Sequence, residues 1–255
     1  MATLVPKFAL PPERPEIVFV CDRSGSMMGE NIILVKQALQ VFLKSLPVGV
    51  MFNICSFGSS YSFLWQKSVA YSQETLNQAI SHVGTIEANY GGTELLNPIK
   101  ATIENRYKDI PLEVMVLTDG SIWNQDILFT YLNEEVGGTK EPIRVYSLGV
   151  GNGVSHSLIE GIARAGNGFS QTVGEGEKMG AKVVRMLKGA LSPRVTDYRL
   201  EVKYPKAHVE KDMDDEFEIV ERVADSLKVK LDLKDDETPV PVSFRATTIR
   251  MTLAN

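Results

Sequence analysis

Val18-Phe19-Val20-Cys21-Asp22-Arg23-Ser24-Gly25-Ser26-Met27-Met28-Gly29 passes abruptly from apolar to oxygen-rich chemistry. Ile17 to Val20 has no polar position and is rich in β-branched residues, the pattern of a strand buried on both faces. That strand ends at a carboxylate. Asp22, Ser24 and Ser26 then alternate with Arg23 and Gly25, so a tight loop can aim one carboxylate and two hydroxyls at a common point while Gly25 supplies backbone freedom. All three are hard oxygen donors with no imidazole or thiolate beside them. Such a set suits Mg²⁺ or Mn²⁺, with Ca²⁺ a poorer match, rather than zinc. A plainer reading stays open at this point: Ser26 caps a helix that begins near Gly29, and Asp22 only ends a strand.

Two distant stretches bear on that choice. Asn89-Tyr90-Gly91-Gly92-Thr93-Glu94 precedes a helical pattern, so Thr93 reads as an oxygen donor, as that helix's N-cap, or as both, since cap and loop share one end of the sheet. Val114-Met115-Val116-Leu117-Thr118-Asp119-Gly120 is a second buried strand that ends in a carboxylate. In a doubly wound sheet the carboxyl ends of the strands share one edge, and Asp22 and Asp119 meet there if their strands are neighbours.

In order and in context, Asp22, Ser24, Ser26, Thr93 and Asp119 resemble, residue by residue, the metal-ion-dependent adhesion site (MIDAS) of von Willebrand factor type A domains. The resemblance implies that Ser24 and Ser26 ligate one divalent cation directly, and that Asp22, Thr93 and Asp119 do so directly or through water. It also implies that the cation accepts an exposed Asp or Glu of a partner protein. Arg23, Met28, Tyr90 and Trp123 fall on loops or helix starts at the same edge and are expected to form the partner-binding rim, with Trp123 either an apolar anchor beside the ion or packed inward to start its helix. After the serines, integrin β subunits carry an acidic pair that builds a second metal site; here those positions read Gly29-Glu30, so one ion is expected.

The rest of the chain fits the same architecture. Residues 1–15, with Pro6, Pro11, Pro12 and Pro15, read as an extended arm. From Glu30 to Leu46, Ile32, Val35, Leu39, Phe42 and Leu46 recur at helical steps, and Val50 to Phe57 is another buried strand. Tyr61 to Tyr71 reads as its antiparallel hairpin partner at the sheet edge. Helical patterns follow at Glu74–Val83, Glu94–Tyr107, Gln125–Val136 and Glu177–Leu191, with strands at Leu112–Thr118, Ile143–Leu148 and Phe169–Val173. Gly149-Val150-Gly151-Asn152-Gly153 lacks the Gly-Lys-Ser/Thr of a phosphate loop and reads as a turn before a Ser155-capped helix.

The predicted fold class is therefore α/β: a doubly wound, mostly parallel sheet with one antiparallel edge strand over residues 16–191. Residues 192–255 change character. Val195–Tyr204, Glu216–Val223, Leu227–Leu233 and Val242–Met251 alternate with period two, as in a small antiparallel β region that belongs to a larger β domain. Leu191-Ser192-Pro193-Arg194-Val195-Thr196-Asp197 resembles the junction after the A domain of inter-alpha-trypsin-inhibitor heavy chains, where a β-rich VIT domain precedes the A domain. This likeness suggests a fragment of an intracellular relative.

Composition narrows the function classes. Of 255 residues, 44% are hydrophobic and 23% charged, and the formal net charge of −5, with no basic stripe, argues against nucleic-acid binding. No run reaches the roughly 20 apolar residues that span a bilayer, and Met1 to Pro12 lacks the blocks of a signal peptide, so no membrane role is expected. Cys21 and Cys55 read as free, buried thiols of a cytoplasmic protein, although a disulfide between them is possible on adjacent strands. His82, His156 and His208 are too scattered for a zinc cluster or a triad. The oligomeric state is left open.

The functional expectation is a cation-dependent protein-interaction module, not an enzyme. The alternative is a structural scaffold whose β tail is the contact surface and whose metal only stabilises the loops. A metal-dependent hydrolase or phosphotransferase with Asp22 as nucleophile is the competing class, but position 24 is Ser rather than a second carboxylate and no Lys lies beside either Asp loop.

Overall fold

A computed structural model describes residues 14–120, 122, 124–138, 142–174, 176–192, 198–203 and 248–253. In chain order the first compact unit contains β1 (Glu16–Asp22), α1 (Glu30–Ser45), β2 (Met51–Phe57), β3 (Tyr61–Phe63), β4 (Val69–Ala70), α2 (Gln73–Thr85) and α3 (Leu96–Glu104). It continues with β5 (Leu112–Thr118), α4 (Gln125–Gly138), β6 (Ile143–Val150), α5 (His156–Ala165), β7 (Asn167–Val173) and α6 (Met179–Leu191). A second unit holds β8 (Tyr198–Lys203) and β9 (Thr248–Leu253), which pair antiparallel with Tyr198 opposite Leu253. The expected strands Glu216–Val223 and Leu227–Leu233 lie outside the described residues.

The sheet runs β3-β2-β1-β5-β6-β7, with β4 also on β2. β2, β1, β5, β6 and β7 pair in parallel, and β3 and β4 pair antiparallel with β2. Both faces are covered. One core joins the inner sides of α1, α2 and α6 to Ile17, Phe19, Phe52, Ile54, Met115 and Leu148; the other joins α3, α4 and α5 to Val18, Val20, Val114, Val116 and Val145. β1 and β5 are buried at every position, and for this reason their sequences read as continuous apolar runs rather than alternating ones.

The doubly wound, mostly parallel fold is as expected, with local differences. The Tyr61–Tyr71 hairpin arm is broken into β3 and β4. Between them the buried side chain of Asn53, in the middle of β2, donates to Trp65 O at 2.8 Å and accepts from Trp65 N at 3.2 Å, so the intervening chain bonds there to a side chain instead of continuing the ladder. The helix after Thr93 starts at Leu96, with Leu95 in the N-cap position, so Thr93 is no cap. Nor is Ser26: α1 begins after Gly29, whose φ of +81° is a turn that glycine enters without a Cβ clash. Ser155 does stand at the N-cap of α5, although its side chain accepts no capping bond there.

Cys21 and Cys55 are free and buried, as expected. Their strands are adjacent, yet Cys21 belongs to the core under α1 and Cys55 to the core under α3, so the sheet itself separates the two sulfurs. Burial pushes both thiols up, that of Cys55 to about 12, which keeps them protonated and unreactive.

Candidate metal centre

β1 hands the chain through α1 to β2 on one side, whereas β5 lies on its other side and continues through α4 to β6. The connections therefore part at the carboxyl ends of β1 and β5, the place where an open α/β sheet leaves a crevice. Cys21 pairs with Leu117, so Asp22 and Thr118 come next at the same level and Asp119 follows at the rim.

Four of the five expected oxygen donors are joined by hydrogen bonds there. Asp22 is fully buried; its Oδ1 accepts from the Ser24 amide at 2.8 Å and its Oδ2 from Thr118 Oγ1 at 2.5 Å. Ser24 Oγ lies 3.1 Å from Ser26 Oγ, which in turn donates to Asp119 Oδ1 at 3.0 Å. Asn31, from the first turn of α1, places its Nδ2 3.3 Å from Asp119 Oδ2. Thr93 stands half-buried on the neighbouring loop, and among the described residues no hydrogen bond links its hydroxyl to the other four.

That neighbouring loop is nevertheless pinned to the first. The Gly25 amide donates to Gly91 O at 2.8 Å and the Tyr90 amide to Arg23 O at 3.0 Å; on either side of Thr93, the Gly92 amide donates to Ser59 Oγ at 2.7 Å and the Glu94 amide to Gly58 O at 2.9 Å. Arg23 is only 8% exposed and faces inward rather than out from the rim. Its Nε donates to Glu87 O at 2.9 Å, its Nη2 to Asn89 Oδ1 at 2.7 Å, and its guanidinium lies 4.1 Å from the Tyr90 ring centroid. With Nε and Nη2 each donating to the second loop and the guanidinium lying against the Tyr90 ring, Arg23 fastens the loops together. Tyr90 is half-buried beneath it, its hydroxyl 2.9 Å from Ser62 Oγ. Met28, 69% exposed, is the apolar rim residue turned fully to solvent, and Trp123 lies outside the described residues.

Thr118, Asn31 and Ser59 were not legible as site residues. Thr118 carried the one available signal, a hydroxyl at the end of an otherwise apolar strand; its partner depends on which strand lies beside it.

Desolvation raises the Asp22 carboxyl above its ordinary range and the nearby Asp119 raises it further, against the lowering effect of the Ser24 and Thr118 bonds. With Arg23 directed elsewhere, two carboxylates share this rim, and among the described residues no cationic side chain is bonded to either. Among the described residues no three His, Cys, Asp or Glu form a metal-holding group, so a centre here needs the hydroxyls as well as the carboxylates. The donor set fits one hard divalent cation: all its atoms are oxygens, and the spacings of 3.0 and 3.1 Å match the separation of about 3 Å between neighbouring oxygens of an octahedron with bonds of about 2.1 Å.

The family model for the von Willebrand factor type A domain matches residues 15–172. The human von Willebrand factor A domain-containing protein 5A is 38% identical over 204 residues, covering 74% of this chain and 25% of that protein. Against its human and Dictyostelium discoideum relatives, this chain spans between 15% and 25% of their length. Among solved structures, a von Willebrand factor type A protein from Catenulispora acidiphila superposes with a TM-score of 0.62 at 20% identity, covering 76% of this chain and 46% of that one. Proximal thread matrix protein 1 from the mussel byssus, solved with a zinc-occupied MIDAS motif, gives a TM-score of 0.53 at 16% identity over 69% of this chain and 46% of its own. The family match over residues 15–172 and the layered fold agree, and the chain belongs to the von Willebrand factor type A domain family.

Proposed function

We propose that this domain is a divalent-cation-dependent protein-interaction module that captures an acidic side chain of a partner at the rim formed by Asp22, Ser24, Ser26, Thr93 and Asp119. The observation that carries the reading is the convergence of Ser24 Oγ and Ser26 Oγ with Asp119 Oδ1, 93 residues beyond Ser26 in the chain, into one run of oxygens at about hydrogen-bond spacing. Ser24, Ser26 and Asp119 would hold the ion directly. Asp22, with both oxygens already engaged, and Thr93, on its pinned loop, would contribute through water. The cation would supply an electrophilic open position that an outside carboxylate completes. Few protein donors and no nitrogen or sulfur favour Mg²⁺ or Mn²⁺ over Ca²⁺ and zinc. The mussel protein's zinc-occupied MIDAS supports a metal at this position of the fold without specifying which ion this chain takes.

A non-enzymatic role is supported by Asp22 itself. A nucleophilic carboxylate needs a free oxygen facing substrate, and here the Ser24 amide and the Thr118 hydroxyl hold one each.

Calorimetric titration with Mg²⁺, Mn²⁺ and Ca²⁺, repeated on Asp119→Ala, tests the site; absence of binding to the unsubstituted chain defeats the reading. Capture of proteins on the immobilised chain in Mg²⁺ and their release by EDTA tests the function. Capture that survives EDTA moves the contact to another surface, as in the scaffold alternative.

A further inference from the structure

Asn31 belongs to no motif in the sequence, yet it touches three parts of the rim. Its Nδ2 lies 3.3 Å from Asp119 Oδ2 and 3.5 Å from the Ser26 carbonyl oxygen. Both neighbours only accept, so the NH₂ end of the amide must face them and Oδ1 must face the other way. That other direction is occupied by Gly151, in the glycine-rich turn between β6 and α5. A Cβ at Gly151 would stand 2.1 Å from Asn31 Oδ1, and its φ of +93° favours glycine independently. The turn thus has a use that phosphate binding does not supply: it leaves room for this amide.

We propose that Asn31 is a positioning residue of the metal centre, holding the outer oxygen of Asp119 so that Oδ1 alone is turned toward Ser26 and the ion, with Gly151 as the wall that seats the amide. The inference rests on the metal-centre reading above. An unrestrained carboxylate offers two equivalent oxygens and can turn to bind an ion with both. A donor fixed on one of them makes the two unequal and keeps ligation single, which suits a small ion that must leave a position open for a partner. The arrangement also ties α1 and the β6–α5 turn to the β5 rim through one side chain.

The test is a double-mutant cycle on the full chain, stripped of metal and then titrated with MnCl₂ by calorimetry, with the melting midpoint of each metal-free variant measured in parallel. Asn31→Ala is expected to weaken Mn²⁺ about 10- to 100-fold with little change in the metal-free midpoint, because the residue is only half-buried in the first turn of α1 and its bonds of 3.3 and 3.5 Å are long. Gly151→Ala displaces the amide and weakens Mn²⁺ similarly, and the double variant is expected to lose no more than either single one. Should Gly151→Ala not fold, Asn31→Ala decides alone. Wild-type Mn²⁺ affinity in Asn31→Ala, while Asp119→Ala binds none, overturns the role of Asn31 and leaves the metal centre standing. Additive losses, or an affinity loss matched by an equal loss of metal-free stability, also overturn it. If the unsubstituted chain binds no Mn²⁺, the metal centre itself falls and this role with it.

Discussion

Thr118 Oγ1 donates to Asp22 Oδ2 at 2.5 Å across the junction of β1 and β5, so a hydroxyl from one strand holds the buried carboxylate that ends the other. Thr118→Val keeps the branched shape and removes the donor. A buried carboxylate oxygen that loses a partner costs about 1–3 kcal/mol, and the variant is expected to unfold at correspondingly lower urea with an unchanged slope. An unshifted midpoint would mean that water or another donor replaces the hydroxyl.

Adding Mg²⁺ is expected to stabilise the domain by mass action. At a hundredfold excess over the dissociation constant the gain is about 2.7 kcal/mol, which for a domain of this size raises the melting midpoint by about 5–10 °C. EDTA reverses the shift, and Asp119→Ala shows none. Thermal melts with and without chelator check this.

Arg23→Lys is expected to loosen the loop that carries Thr93 without removing the charge. Lysine cannot reproduce a planar fork that reaches Glu87 O and Asn89 Oδ1 while lying on Tyr90. Losing one charge-assisted bond costs about 1.5–3 kcal/mol. The amides of Gly91 and Gly92 should exchange with solvent faster and divalent affinity should drop; unchanged exchange by mass spectrometry would show that the backbone bonds suffice.

Glu16, at the opposite end of β1, supplies a pH test remote from the metal. Its carboxylate is 1% exposed and accepts from Ser68 Oγ and from the Tyr107 amide at 2.7 Å. Burial raises its pKa above the ordinary 4.5, more than those bonds and the charges of Lys67 and Arg106 lower it. A carboxyl raised on folding contributes stability that is fully present below the unfolded value and is lost as pH rises through the folded one. Glu16→Gln, whose amide can donate to Ser68 and accept from Tyr107, removes that loss. Chemical denaturation from acid to neutral pH should show the variant gaining on the unsubstituted protein as pH increases above 4.5; a constant difference would place the titration elsewhere.

Periodicity in the chain makes its strands and helix faces legible. The unbroken apolar runs before Asp22 and Asp119 identified strands buried on both faces, and residues such as Val35, Leu39 and Phe42 showed which side of α1 packs inward. Spacing also placed Asp22, Ser24 and Ser26 on one loop. Roles decided by distant neighbours are not readable that way: Arg23 falls at a loop by its position, yet lies buried against Glu87, Asn89 and Tyr90, and Thr93, which precedes a helical pattern, does not cap the helix, which begins at Leu96.

The chain's own order of residues determined the alternation of strands and helices and the chemistry of the oxygens at the strand ends, because both depend on neighbours a few positions apart. Only the tertiary structure decided that β5 lies beside β1. That adjacency gives Thr118 to Asp22 and brings Ser26 and Asn31 to Asp119, and the place of β6 beyond β5 brings Gly151 to Asn31. A strand's pattern states which of its faces are buried, but which strand it pairs with is settled by the packing of α1, α2 and α6 on one face and α3, α4 and α5 on the other, and the oxygens converge as a consequence of that packing.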